Sequence, residues 1–402
     1  VAIYQLAKAS GNIINQRSIA IESNIQIEVQ NMASRSKFMG RTRSLLGLEA
    51  LRKLVSDSMA IDMGSANTII AVRGRGVVID EPSVVAINKI TNEVVAVGRE
   101  AQLMQGREAR EVMVIAPLVD GVVADFERTR GMLDHFVREA RSGLSHFSRR
   151  AVMSVLSGVT QVEQRALMSA AEEAHIGRVY MVEEGLAAAL GAGVKIDDAR
   201  ASAVVDIGGG TTNVAAVANG TIIHAQAERI GSSDIDAAIM DRLRRYRGLA
   251  IGVPTAERLK LELGSATEPR DPTLSLNVKG RDVQTGSPNA IDVTASEVYE
   301  VTQPIIRKIA EEVRATLAEL PPEVAADIYD RGLILTGGGA LLEGMAEYLQ
   351  KETNLTVKVA DDPRLAIVRG LTQTFDEPLL LRRVMRTEPH PLRHGEESAF
   401  EN

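Results

Sequence analysis

The sequence predicts a layered α/β protein made of two similar lobes that face each other across a cleft. Short β-branched runs alternate with amphipathic helical patterns, a hairpin with an acidic strand end occurs twice, and 402 residues suffice for two lobes.

Strand-like runs stand at Ile69–Val72, Val77–Ile79, Val84–Ile87, Ala151–Leu156, Ala203–Ile207, Val214–Val217 and Gly332–Leu335. Helical spacing marks Thr129–Arg141, Gln161–Glu173, Glu184–Ala192, Ile235–Arg245, Thr255–Leu263 and Ser296–Leu320. Residues 1–36 are polar without a clear period and read as a poorly ordered extension. The basic run Arg35–Arg43 follows, and Leu45, Leu48, Leu51, Leu54 and Val55 fall on one side of a helix over 38–55. Beyond Pro378 a polar segment reads as a mobile tail. Met32 and Met39 precede the basic helix, so a shorter product starting at either is an alternative that the sequence leaves open.

Composition narrows the function. A net charge of -7 argues against nucleic acid as main partner, and 3% aromatic residues with no Trp leave little for base stacking. Without cysteine there is neither disulfide nor thiolate site, which fits a reducing cytoplasm, and the six histidines show no zinc spacing. No apolar run is long enough to span a bilayer, and the N-terminus does not read as a secretory signal, so any membrane contact is expected to be peripheral.

The repeat carries the chemistry. Asp62-Met-Gly-Ser-Ala-Asn-Thr and Asp206-Ile-Gly-Gly-Gly-Thr-Thr both follow an apolar run and continue as an apolar strand. Turns of small residues bring backbone N–H groups close to an anion, so two of them can hold the phosphates of one nucleotide. Ser65, Ala66 and Asn67 form the first cradle; Gly208, Gly209, Gly210 and Thr211 form the second. Asp62 and Asp206 face the phosphates, which calls for a hydrated Mg²⁺ between the charges. Either turn alone reads as an ordinary tight hairpin; the matched pair favours the phosphate reading. A third loop, Gly337, Gly338, Gly339, Ala340 and Leu341, follows a strand, opens a helix and offers a surface for a flat ring. It has neither the Walker nor the dinucleotide spacing.

In order and spacing these three loops resemble the phosphate and adenosine loops of the actin, Hsp70 and sugar-kinase superfamily. Glu81-Pro-Ser-Val-Val-Ala-Ile87, Asp120–Phe126, Glu183-Glu184, Gly252–Lys260 with Gly264-Ser-Ala, and Pro321-Pro-Glu323 are similar to the MreB family of bacterial actin homologues, over about Met59 to Gly370. The resemblance implies an actin-like ATPase fold with duplicated ribonuclease H-like subdomains around a nucleotide cleft. It divides the chain into an extension, 1–57; lobe I, 58–200, with a small subdomain at about 88–116; lobe II, 201–377, with another at about 242–295; and the tail, 378–402. It implies ATP or ADP with Mg²⁺, double protofilaments, slow assembly-linked hydrolysis, and filaments under the cytoplasmic membrane that organise cell-wall synthesis with cell-elongation membrane proteins.

By the same resemblance Glu184 positions the attacking water, supported by Thr211 or Thr212. Glu257, Arg258, Leu259 and Lys260 match residues near the ribose; elsewhere Glu257 and Lys260, one turn apart, would be a surface ion pair. Residues 38–55, with Leu144 and Phe147, match membrane-touching elements; packing on the protein's own body is the alternative. Four departures stand out: Gly185 where the family has Pro, Asn213 for an acidic residue, Ser232-Ser233 for Gly-Asp, and Ser154 with Leu156 for Gly and Pro. They put efficient hydrolysis in doubt and keep a scarcely hydrolysing scaffold as the alternative. A sugar or acetate kinase would need an acceptor site, for which no residues stand out, and an Hsp70-like chaperone is not expected, because it would need a peptide-binding domain after about residue 370.

Overall fold

The computed structural model describes residues 58–141, 150–375 and 377–386. The basic segment 38–55, expected to be helical, and Leu144 and Phe147 lie outside them.

Two five-stranded sheets form the framework, and both have the same topology. In the first, Ser58–Met63 is central, with the antiparallel strands Asn67–Val72 and Gly76–Pro82 on one side and the parallel strands Arg150–Val155 and Val179–Glu183 on the other. In the second, Ser202–Ile207 is central, flanked by antiparallel Thr212–Ala218 and Thr221–Glu228 and by parallel Leu333–Thr336 and Val357–Val359. The central strands are buried on both faces, which explains why they read as continuous apolar runs rather than alternating ones. Registers match too: Asp62 pairs with Ile69 and Asp206 with Asn213, each opposite the residue seven positions on.

Helices cover the sheets where their apolar stripes demand it. Phe126–Ala140 buries Met132, Leu133 and Phe136 against the first sheet, and Ala295–Ala318 buries Ile306, Ile309 and Val313 against the second. The helices Glu184–Gly191 and Ala366–Gln373 share one core that takes Ala60, Ile69 and Val152 from the first sheet and Val204 and Val217 from the second. That core joins the two halves at the base of the cleft. Small three-stranded sheets sit at Val85–Asn88, Val94–Val97 and Val112–Ile115, and at Leu249–Ala250, Ser275–Asp282 and Pro288–Thr294.

Two expectations change. The segment read as a polar, mobile tail begins as the helix Pro378–Val384. Leu380, Leu381 and Val384 recur at helical spacing and pack into the shared core, and the Arg386 amide donates to the Met181 carbonyl. The third Gly-rich loop opens the 3₁₀ turn Gly338–Leu341 rather than an α-helix, which starts only at Met345.

Candidate nucleotide site

One cavity of about 620 Å³ lies between the halves, a volume suited to a small organic ligand. Asp62, Ser65, Ala66, Asn67, Glu184, Asp206, Gly208, Gly209 and Thr211 line it, as do Glu257, Lys260, Gly337, Gly338, Gly339 and Leu341. The two hairpin turns meet at their tips, where a Cβ on Gly209 would stand 2.5 Å from that of Ala66. Small residues at both tips are thus a packing requirement as well as an opening for an anion. Gly337 has a φ of 83°, and a side chain there would strike the Ile207 carbonyl at 2.3 Å, so the third loop rests directly on the second hairpin's first strand.

Each aspartate is held alike. Ser154 Oγ donates to Asp62 Oδ1 at 2.8 Å, and Thr336 Oγ1 donates to Asp206 Oδ1 at 2.8 Å. Both hydroxyls come from the parallel strand beside the central one, so the duplication extends beyond the hairpins. Burial pushes the Asp62 carboxyl up to about 7, against the Ser154 hydrogen bond, and Asp206 adds to the rise. Burial likewise raises Asp206 to about 6, opposed by Thr336. Glu184 is raised well above the usual carboxylate range, first by burial and then by Asp62 and Asp206.

Three buried carboxylates that oppose each other's ionisation form a site of negative potential, which a divalent cation would neutralise. Among the described residues no three acidic or histidine side chains converge closely enough to chelate a metal directly. Acidic oxygens are the donors that a hard cation such as Mg²⁺ takes, and Mg²⁺ keeps several of its own waters when bound.

Other predicted residues fall elsewhere. Gly210 is absent from the lining and packs on Asp120. Thr212 turns away and donates to the Ile230 carbonyl at 2.8 Å. On the helix Val253–Leu263, Glu257 and Lys260 face the cavity, whereas Leu259 is fully buried in the core behind it and Arg258 is exposed. Ala340 is buried under the third loop. Lys260 does not pair with Glu257: its Nζ donates to Asp236 Oδ2 at 2.8 Å and to the Ser232 carbonyl at 3.1 Å. A one-turn spacing allows that helix pair, but a buried carboxylate on the neighbouring helix competes better for the ammonium.

The loops also have supports that motif reading passed over. Ser83 is fully buried, donates to the Gly64 carbonyl at 2.7 Å and sends its amide to the Ala66 carbonyl, which fixes the first turn. The Gly121 amide donates to Ser65 Oγ at 2.8 Å. Both residues lie in segments quoted for the family resemblance, but only the fold carries them to the turn.

A family model described as MreB/Mbl protein matches residues 56–382. This chain belongs to the MreB/Mbl family. It is 43% identical over 328 residues to the cell shape-determining protein MreB of Pasteurella multocida, covering 80% of this chain and 93% of that protein. Against the cell shape-determining protein Mbl of Bacillus subtilis it is 40% identical over 320 residues, with 79% and 95% covered. Among solved structures, MreB5 of Spiroplasma citri bound to ADP superposes with a TM-score of 0.76 at 32% identity, covering 81% of this chain and 98% of that one. The actin-like fold expected from the three loops is the one observed.

Within that MreB/Mbl framework the departures have local reasons. A Cβ on Gly185 would come within 2.4 Å of Ala215 Cβ, so glycine lets the Glu184–Gly191 helix seat tightly on the second hairpin rather than loosening it. Asn213 is buried beside Glu184, where its amide favours the carboxylate's charged form, and its Nδ2 donates to Ser157 Oγ at 3.5 Å. Ser232 lines the cavity, and the Ser232 and Ser233 amides donate to the Gly208 and Gly209 carbonyls.

Proposed function

We propose that this chain is a cell-shape cytoskeletal protein that binds ATP or ADP with Mg²⁺ in the interlobe cavity and assembles into filaments. The observation that carries the reading is the meeting of the two Asp-bearing hairpins and the third Gly loop around one cavity. The first two turns would hold phosphates on their backbone amides, and the third would carry the base. Bound Mg²⁺ would supply charge neutralisation between phosphates and carboxylates. Asp62 and Asp206 would orient its waters, with Ser154 and Thr336 fixing their rotamers. Glu184, buried at the cavity wall, is the group to position a water against the terminal phosphate. That the Spiroplasma relative is solved with ADP supports the nucleotide assignment.

Ile90, Val95 and Leu103 present apolar side chains to solvent on the first small subdomain, at 75%, 51% and 66% exposure, and are candidates for the contact with a second copy of this chain. Peripheral membrane attachment through 38–55, with Leu144 and Phe147, belongs to the same proposal. Among the described residues no helix is long and apolar enough to cross a membrane.

Pelleting and negative-stain microscopy with Mg-ATP, Mg-ADP and no nucleotide, with phosphate release in parallel, test the reading. Nucleotide-dependent filaments are expected, and Glu184→Gln should slow release by roughly a hundredfold or more while sparing nucleotide affinity. Filaments without release would favour the scaffold. No filaments in any condition, with anionic vesicles supplied, would remove the polymer.

A further inference from the structure

Asp80 and Arg364 meet across the mouth of the cavity, and neither belongs to a loop that motif reading singled out. Arg364 Nη2 donates to both carboxylate oxygens of Asp80, at 2.9 and 2.8 Å. Asp80 lies on the edge strand Gly76–Pro82 of the first sheet, and Arg364 on the 3₁₀ turn Pro363–Leu365 after the last strand of the second. Both line the cavity.

Each partner is tied to a nucleotide loop. Asn67, in the first cradle, donates from Nδ2 to Asp80 Oδ1 at 3.1 Å. The Gly337 amide of the third loop donates to the Pro363 carbonyl at 2.9 Å, and a Cβ on Gly338 would touch Arg364 Cγ at 3.8 Å. A continuous chain of contacts thus runs from the first hairpin, through the ion pair, to the third loop.

At the base of the cleft the halves cannot separate easily. A Cβ on Gly191 would fall 1.7 Å from the Ala366 carbonyl oxygen, and one on Gly370 would fall 1.9 Å from that of Ala187. Arg364 stands two residues before the helix that makes this contact. A rotation of one half against the other about that base would part Asp80 from Arg364, which stand on opposite halves.

We propose that Asp80 and Arg364 form a clasp between the edge strand of the first sheet and the turn after the last strand of the second, and that this clasp sets the rate at which nucleotide enters and leaves. This rests on the nucleotide reading above. Because the ion pair links the two halves beside the cavity that both residues line, it stands in the path of nucleotide in both directions. Removing it raises the association and dissociation rates by a common factor and leaves Kd nearly unchanged. A residue that merely contacts bound nucleotide would instead raise the dissociation rate and Kd together.

Stopped-flow kinetics with a fluorescent ADP analogue and Mg²⁺ read the difference. Asp80→Asn keeps an acceptor for Asn67 but removes the charge, and Arg364→Gln removes the other partner. Each should raise both rates roughly twofold to fivefold, the range of a partly exposed ion pair. Added salt should speed exchange in the parent more than in either variant. The chain has no cysteine, so Asp80→Cys combined with Arg364→Cys can be bridged by a short bismaleimide. Bridged after loading, the protein should retain its nucleotide; bridged before loading, it should exclude it. Rates unmoved by the variants and exchange unaffected by the bridge would overturn the clasp, as would a rise in Kd with an unchanged association rate. A parent chain that binds no nucleotide would instead overturn the reading of the cleft, and the clasp with it.

Discussion

Ser154 shows how one hydroxyl shapes this site. It replaces a side chain-free position of the family resemblance with a donor aimed at Asp62, and it matches the Thr336 hydroxyl on Asp206. Its hydrogen bond favours the ionised carboxylate against the burial that opposes it. Ser154→Ala should therefore raise the Asp62 pKa further and weaken Mg²⁺-dependent nucleotide binding at pH 7 by about tenfold, the value of a hydrogen bond to a charged group. Titration calorimetry across pH should show the variant recovering at higher pH; equal losses at pH 7 and 8.5 would mean that Ser154 acts through packing alone.

Among elements, the contact between the helices Glu184–Gly191 and Ala366–Gln373 decides how the halves are joined. Glycine at 191 and 370 lets the backbones touch, and the surrounding core draws on both sheets. Gly191→Ala would force a methyl onto a carbonyl oxygen, with a cost of about 1–3 kcal/mol as overpacking of a fitted interface. Urea denaturation should show a lower midpoint at unchanged slope. A change below the resolution of that experiment would show that the base is compliant rather than a fixed pivot.

For the whole molecule, the buried carboxylates make stability depend on pH. Asp62 and Asp206 take up protons near 7 and 6 in the folded chain, and Glu184 is raised as well. Unfolded carboxylates titrate near 4, so between about pH 4 and 7 the folded state binds more protons. The contribution of these three groups to stability is then largest below that window and falls as pH rises through it. Without cation the melting temperature should be lower at pH 8 than at pH 6, and Mg-ADP should stabilise more strongly at pH 8, where the carboxylates are ionised. A melting temperature that does not differ between pH 6 and 8 would mean that the three carboxylates do not share a desolvated site.

The duplicated hairpins, the third loop and the central strands were legible in the residues, because turn chemistry, β-branched runs and acid-to-turn spacing are local properties. The helix Gln161–Glu173 was read to its observed ends from helical spacing, and a reciprocal cap between Thr160 and Glu163 fixes its start. What local pattern could not reach is which distant groups meet. Lys260 chose Asp236 over Glu257, Ser83 reached back to the Gly64 turn, and Pro378–Val384 became a helix because a core shared by both halves was there to receive it. The ion pair of Asp80 and Arg364, 284 residues apart, is the clearest case: each reads alone as a surface charge. Sequence determined the repeat and the chemistry of its turns; tertiary structure decided their partners, since burial and apposition arise only once the two sheets share a base.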